Sequence, residues 1–86
     1  MTEKTVNIKL EKGLEARPVA VLVQKASMFD SKVYLRAQDK RVNAKSIMGM
    51  MSLGLMAGEE LVIETDGDDE VQALECMEKY LTGQES

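Results

Sequence analysis

Three segments of the chain alternate apolar and polar residues, which is the two-residue period of a half-buried β-strand. The alternation predicts strands over 5–10, 32–36 and 61–65, and a short additional strand over 41–43 after a hairpin connection at 38–40. Because only one side of each strand is apolar, the predicted sheet has one face against a core and one face in water. Glu64 is expected on the face in water.

Three other segments carry apolar residues at helical spacing. The first helix runs from Pro18 to about Met28, and proline suits a first turn because N–H groups there have no partner within the helix. A short second helix covers 46–53, and a third begins near Asp69, which is placed to cap it, and ends at Gly83. The predicted core residues are Val19, Ala20, Val23 and Ala26 in the first helix, and Val71, Leu74, Met77 and Leu81 in the third.

These elements follow one another in the order β-α-β-β-α-β-α. A chain of 86 residues makes a single domain over 1–86. Alternating strands with helices on one side indicate an α+β fold, an antiparallel open-faced sandwich. The periodicity by itself also allows a ferredoxin-like arrangement of the same elements.

The composition is that of a globular protein, and we expect a cytoplasmic one. Cys76 is the single cysteine, so the chain has no internal disulfide and suits a reducing compartment. No apolar run is long enough to cross a membrane. Residues 1–46 carry ten Lys and Arg against five Asp and Glu, whereas residues 47–86 carry one against ten. A net charge of −4 without a basic run argues against direct binding of nucleic acid.

Motifs for catalysis and for metal binding are absent from the sequence. The chain contains no histidine, and one cysteine without histidine does not make a zinc site. The acidic run at 66–70 lacks the ligand spacing of an EF-hand, and a turn followed by a helix cap explains it better. No nucleophile–base pair or phosphate-binding glycine loop is present. We therefore expect a protein that is not an enzyme and has no metal and no cofactor.

Two short motifs carry the functional information, GLEARP at 13–18 and NAKSIMG at 43–49. Together they resemble the two phosphorylation sites of HPr, the small phosphocarrier of the bacterial sugar phosphotransferase system. In HPr the first motif contains the histidine that carries the phosphate, and Glu15 stands in its place here. A substituted first site beside an intact second site resembles the catabolite-repression HPr-like proteins (Crh) within that family.

The resemblance covers essentially the whole chain and implies the HPr fold, a four-stranded antiparallel sheet covered on one face by three helices. It makes Glu15 and Arg17 a degenerate phosphocarrier site, in which the arginine and the helix N-terminus remain and the nucleophile is lost. Glu15 then either stabilises the helix start or weakly imitates a phosphorylated histidine, with one charge where phosphate carries nearly two. An acyl phosphate on Glu15 is the alternative carrier chemistry.

Ser46 is placed as the N-cap of the short helix, and a cap alone would account for a serine there. The match of the surrounding residues to the segment recognised by HPr kinase/phosphorylase implies instead that Ser46 is a regulatory phosphorylation site. A phosphate adds about −1.5 to −2 charges. It would therefore change partner affinity with little change in fold.

Methionines concentrate beside this serine, four of the seven lying between positions 48 and 56. A short helix cannot bury every face, and exposed methionine suits a surface that meets several partners. In the HPr family this patch is the docking face. The resemblance therefore assigns partner contact to Arg17, Lys45, Ile47, Met48 and Met51.

The predicted function is regulatory. Phosphorylated on Ser46 by HPr kinase/phosphorylase, the protein would act as corepressor of the LacI-type catabolite control protein A in carbon catabolite repression, contacting DNA only through that regulator. Two alternatives stay open: a phosphotransferase-system carrier that uses Glu15, and an unmodified interaction module that binds a metabolic enzyme. We expect no membrane partner, and a monomer or weak homodimer.

Overall fold

The computed structural model describes residues 1–11 and 13–84, and over these residues the elements follow the predicted order. They are β1 (Thr2–Asn7), α1 (Ala16–Ser27), β2 (Lys32–Ala37), β3 (Lys40–Asn43), α2 (Ile47–Met51), β4 (Glu60–Asp66) and α3 (Glu70–Leu81).

The strands form one antiparallel sheet in the order β1-β4-β2-β3, so β1 and β3 are its edges. The register sets Leu35 of β2 opposite Ile63 of β4 on one side and Val42 of β3 on the other. These residues face the helices, and the opposite sheet face is open. The open-faced sandwich is confirmed, and the strand order excludes the ferredoxin-like alternative.

The core lies between the sheet and the three helices. Leu22 of α1, Met50 of α2 and Met77 of α3 are fully buried against the sheet. Full burial of a side chain of this size stabilises a fold by roughly 1.5–3 kcal/mol. Helix α2 has only five residues, of which Met50 alone is buried, so Met50 is the residue that α2 contributes to the core.

Several predicted element ends are wrong by two or three residues. Helix α1 begins at Ala16 rather than at Pro18. Strand β1 begins at Thr2 and ends at Asn7 rather than covering 5–10. Ile8 nevertheless stays buried, because the chain continues along β4 and its N–H donates to the Glu59 carbonyl at 2.9 Å. Helix α2 ends at Met51, before the predicted 53.

Two predicted core residues in the helices are also wrong. Ala20 and Val71 are exposed, and Leu22 and Ala73 are buried instead. The buried residues of α1 are at positions 19, 22 and 26, and those of α3 at 73, 77 and 81. The buried positions are three or four residues apart, so in each helix they lie on one face, which packs against the sheet.

Asp69 stands at the start of α3, but its side chain does not cap that helix. Its carboxylate instead accepts hydrogen bonds from the Ser31 hydroxyl, and from the backbone N–H groups of Asp30 and Ser31 at 2.9 Å each. The Ser31 hydroxyl and these N–H groups hold the pKa of Asp69 below its ordinary value of 3.8. Asp69 therefore ties the turn before β2 to the beginning of α3.

Glu64 lies on the open face of the sheet but is buried, contrary to the expectation from the alternating pattern. Arg41 donates from Nε to Glu64 Oε1 at 3.2 Å, and Arg36 Nη1 lies 3.4 Å from Oε2. The Arg41 guanidinium also stacks on Tyr34, 3.8 Å from the ring centroid. These long side chains cover the carboxylate, so this part of the open face is not simply solvated.

Candidate regulatory and docking site

Glu15 is the residue immediately before helix α1. Its backbone is extended, and its carbonyl accepts the first helical hydrogen bond, from the Val19 N–H at 3.0 Å. Its side chain is exposed and makes no capping hydrogen bond. The predicted place at a helix N-terminus is confirmed, while the carboxylate itself faces solvent.

Arg17 lies in the first turn of α1, two residues after Glu15, and is also exposed. Glu15 and Arg17 line an open cleft of about 470 Å³ together with Leu10, Glu11 and Pro18. Among the described residues, the ion pairs do not include one between Glu15 and Arg17. Within the described part of the chain, the cleft thus presents two carboxylates, of Glu11 and Glu15, and the Arg17 guanidinium, none of them held in an ion pair.

Ser46 is the N-cap of α2, as its position in the sequence predicts. Its Oγ accepts a hydrogen bond from the Gly49 N–H at 3.2 Å, and its carbonyl accepts one from the Met50 N–H at 3.0 Å. The Ser46 N–H donates to the Asn43 carbonyl at 3.0 Å. The serine is partly exposed, with its hydroxyl in contact with the helix start.

Lys45, assigned to partner contact from the sequence, is engaged within the chain. Its Nζ donates to the Phe29 carbonyl at 2.8 Å, and its backbone N–H donates to Asn43 Oδ1 at 2.8 Å. The ammonium therefore joins the loop before Ser46 to the segment that follows α1. A partner that recruits this charge has to compete with that hydrogen bond.

The three apolar residues assigned to docking are all at the surface. Ile47 is 54% exposed, Met48 85% and Met51 46%. Met50, between them in sequence, is fully buried, so one of the four methionines at 48–56 belongs to the core and the other three are exposed. With Ser46, these three residues make a small apolar surface, called the α2 face below.

The loop that carries Glu15 rests on the segment that follows α2. The Leu14 N–H donates to the Leu55 carbonyl at 2.8 Å. Gly13 has φ +65°, and a Cβ there would lie 2.6 Å from the Leu55 oxygen and 2.7 Å from the Met56 Cα. Glycine is therefore required both by the backbone angle and by the space. Sequence reasoning missed this contact, since nothing local to 13–18 indicates which segment it touches.

Both sites lie within the match of this chain to one protein family. The family described as the PTS HPr component phosphorylation site matches residues 2–83. The chain belongs to the HPr family. Members of this family are phosphocarriers or HPr-like proteins, so the chain is a regulatory or phosphocarrier-like protein.

Two HPr-family relatives illustrate both types. HPr-like protein Crh from Bacillus subtilis is 46% identical over 81 residues, covering 94% of this chain and 95% of that protein. Phosphocarrier protein HPr from Treponema pallidum is 48% identical over 79 residues, covering 92% of this chain and 90% of that protein. The overall identity thus does not separate a carrier from an HPr-like regulator, and the individual site residues have to do so.

Solved HPr-family structures agree with the fold. HPr from Bacillus anthracis has a TM-score of 0.91 at 42% identity, covering 93% of this chain and 95% of that one. The 1.8 Å crystal structure of Bacillus subtilis Crh, a dimer with swapped domains, has a TM-score of 0.79 at 44% identity, covering 98% and 97%. Within residues 1–11 and 13–84, no helix has the length and apolar character needed to cross a bilayer.

Proposed function

We propose that this HPr-family protein is a regulator and not a phosphohistidine carrier. HPr kinase/phosphorylase phosphorylates it on Ser46, and the phosphorylated form binds catabolite control protein A as a corepressor in carbon catabolite repression. Any contact with DNA is made through that regulator. A relative of this chain, Crh from Bacillus subtilis, is a catabolite repression HPr and is 45% identical to it.

The observation that carries this proposal is the pair of residues at the two sites. Glu15 stands at the start of α1 where carriers have histidine, in a chain without any histidine, while Ser46 is kept at the start of α2. Reversible transfer of phosphate between proteins needs a nucleophile that is neutral near pH 7, as imidazole is with a pKa of about 6.5. An exposed glutamate is ionised there and repels a phosphoryl donor.

The surroundings of Ser46 suit a modification that changes a surface and not a fold. The serine is partly exposed, and both its backbone hydrogen bonds, to Asn43 and Met50, involve groups that a phosphate ester leaves untouched. The added charge of about −1.5 to −2 would stand next to Ile47 and Met48. A partner would then meet a phosphate and an apolar surface side by side, whereas unmodified Ser46 offers no charge at this place.

Arg17 and the α2 face are proposed as the contact surface for the regulator. A free guanidinium and three exposed apolar side chains supply the charged and apolar contacts that protein interfaces use as anchors. We propose a monomer or weak homodimer for the free protein. Dimers described for Bacillus subtilis Crh and for HPr from Thermoanaerobacter tengcongensis support self-association in relatives.

The test is phosphorylation followed by binding. With ATP and HPr kinase/phosphorylase, mass spectrometry should find one phosphate, and Ser46→Ala should abolish it. Ser31 is buried, and the Ser27 and Ser52 hydroxyls donate to helix carbonyls, so these three serines are internal controls. Phosphate on any of them in place of Ser46 contradicts the proposal.

Calorimetric titration of both forms into catabolite control protein A completes the test. Hydrogen bonds to a charged group contribute roughly 1.5–3 kcal/mol, so the phosphorylated form should bind about ten- to a hundredfold more tightly. Equal binding of the two forms would identify an unmodified interaction module. Labelling of the protein by phosphoenolpyruvate and enzyme I would identify a carrier.

A further inference from the structure

The seven methionines of the chain differ widely in their access to solvent. Their exposed fractions are 85% for Met48, 70% for Met28, 69% for Met1, 67% for Met56, 46% for Met51, and 0% for Met50 and Met77. The most exposed methionine thus stands two residues after Ser46, on the α2 face. A completely buried one lies two residues further along the same five-residue helix.

Exposure decides which of these thioethers an oxidant can reach. Hydrogen peroxide oxidises methionine when the sulfur lone pair attacks one peroxide oxygen and the O–O bond breaks. The leaving hydroxide takes the proton of the oxygen now bound to sulfur, so the products are the sulfoxide and water. Sulfur loses two electrons to the peroxide, and an S–O bond forms. The product, methionine sulfoxide, is polar where the thioether was apolar, and methionine sulfoxide reductases reverse the change.

We propose that Met48 is an oxidation site, and that its sulfoxide blocks docking of a protein partner on the α2 face even when Ser46 is phosphorylated. The inference rests on the proposed function, since it concerns the regulation of the same surface. Met48 combines the greatest exposure of any methionine in the chain with a position beside the phosphorylated residue. An oxidised Met48 places a polar sulfoxide where the partner needs an apolar contact.

The change is confined to the surface because Met48 takes no part in the core. Its backbone carbonyl accepts a hydrogen bond from the Ser52 N–H at 3.2 Å, which oxidation of the side chain does not affect. Met50, the core residue of α2, is inaccessible in the folded protein. Oxidation of Met48 therefore leaves the fold intact, whereas oxidation of Met50 would report unfolding.

The first experiment measures where oxygen is added. The folded protein is treated with increasing hydrogen peroxide, and each methionine is followed by peptide-resolved mass spectrometry. Met48 should be oxidised first, Met51 later, and Met50 and Met77 only under denaturing conditions. Oxidation of Met50 at the same rate as Met48, or of Met51 before it, would overturn the assignment of the site.

The second experiment measures docking of the phosphorylated protein on catabolite control protein A before and after peroxide treatment. Treatment should weaken binding at least about tenfold, and a methionine sulfoxide reductase should restore it. For Met48→Leu, the affinity measured before peroxide treatment should be nearly equal to the affinity measured after it, even if both differ from those of the parent. In Met28→Leu, which removes the second most exposed thioether, 70% exposed at the end of α1, the ratio of the two affinities should match that of the parent.

The outcomes separate this inference from the function on which it rests. If the untreated phosphorylated protein does not bind the regulator, the proposed function fails and the docking effect of Met48 oxidation fails with it. If that protein binds the regulator and the form oxidised at Met48 binds it equally well, the proposed function stands. Only the proposed control of docking by Met48 oxidation is then refuted. Loss of binding that persists in Met48→Leu would likewise refute it, because another residue would then be responsible.

Discussion

Arg41 on the edge strand β3 reaches across β2 to Glu64 on β4, with 3.2 Å between its Nε and Glu64 Oε1. The Glu64 side chain is 5% exposed, whereas the two arginines that meet it, Arg36 and Arg41, are 44% and 46% exposed. The carboxylate is thus the buried centre of a network whose cations remain in contact with water. It connects three strands on the face of the sheet that carries no helices.

Removing this carboxylate should destabilise the protein. Glu64→Ala leaves two guanidinium groups without their shared partner, and we expect the free energy of unfolding to fall by about 1–3 kcal/mol, since the solvent around the arginines screens part of the interaction. Urea denaturation measures the change. Glu60→Ala, an exposed position on the same strand, is the matched control and should change stability by less than about 0.5 kcal/mol. Equal effects of the two substitutions would show that the network contributes nothing.

The Asp69 carboxylate should make stability depend on acidic pH. Its pKa is lowered in the fold, so its contribution is complete above the ordinary value of 3.8 and is lost as pH falls through the lower folded value. Asp69→Asn should therefore be less stable than the parent near neutral pH, and the difference should shrink toward about pH 2. Thermal unfolding across this range checks the prediction. A stability difference between Asp69→Asn and the parent that stayed the same at every pH would contradict it. The control is Asp68→Asn, which removes the charge of the exposed neighbouring residue.

Phosphate relay should be absent from the protein and recoverable by one substitution. With enzyme I and phosphoenolpyruvate, the parent should stay unlabelled, and Glu15→His should gain labelling because Arg17 and the start of α1 are already in place. Glu15→Gln removes the negative charge without supplying an imidazole and should stay unlabelled. Label on the parent at a bond sensitive to hydroxylamine would indicate an acyl phosphate on Glu15 and refute the prediction.

Docking of the phosphorylated protein should depend on the α2 face and on Arg17 together. Met48→Ala and Arg17→Ala should each weaken binding to catabolite control protein A by more than about 1 kcal/mol, as expected for anchor residues. Met28→Ala truncates a methionine that is 70% exposed at the end of α1 and should have no effect. Calorimetric titration distinguishes these cases. Parent-like affinity of both Met48→Ala and Arg17→Ala would place the docking surface elsewhere.

The parts of the structure that could be predicted from the sequence depend on local patterns. The alternation of Val33 and Leu35 placed β2, and a serine before an apolar segment placed the N-cap of α2; both are confirmed. The likeness of two short motifs to HPr identified the family. Each of these signals is contained within a few neighbouring residues, so no knowledge of the folded chain was needed to interpret it.

The parts that could not be predicted depend on residues far apart in the sequence. Asp69 lies 38 residues from Ser31, and the choice of the Ser31 hydroxyl over the helix N–H groups follows from tertiary packing. Glu64 is buried because Arg41, 23 residues away, lies over it, which no alternation pattern can indicate. The Lys45 ammonium likewise finds the Phe29 carbonyl only once α1 has packed beside α2.

The position of β4 in the sheet also has a consequence for the order in which the protein forms during translation. Strand β1 pairs with β4, so Thr2 meets Thr65 and Asn7 meets Glu60. On the ribosome, β2 and β3 can form their hairpin early, but β1 has no partner strand until residues 60–66 leave the exit tunnel. The nascent chain therefore carries β1 as an unpaired strand until β4 has emerged, and the sheet is completed only when these two distant strands pair.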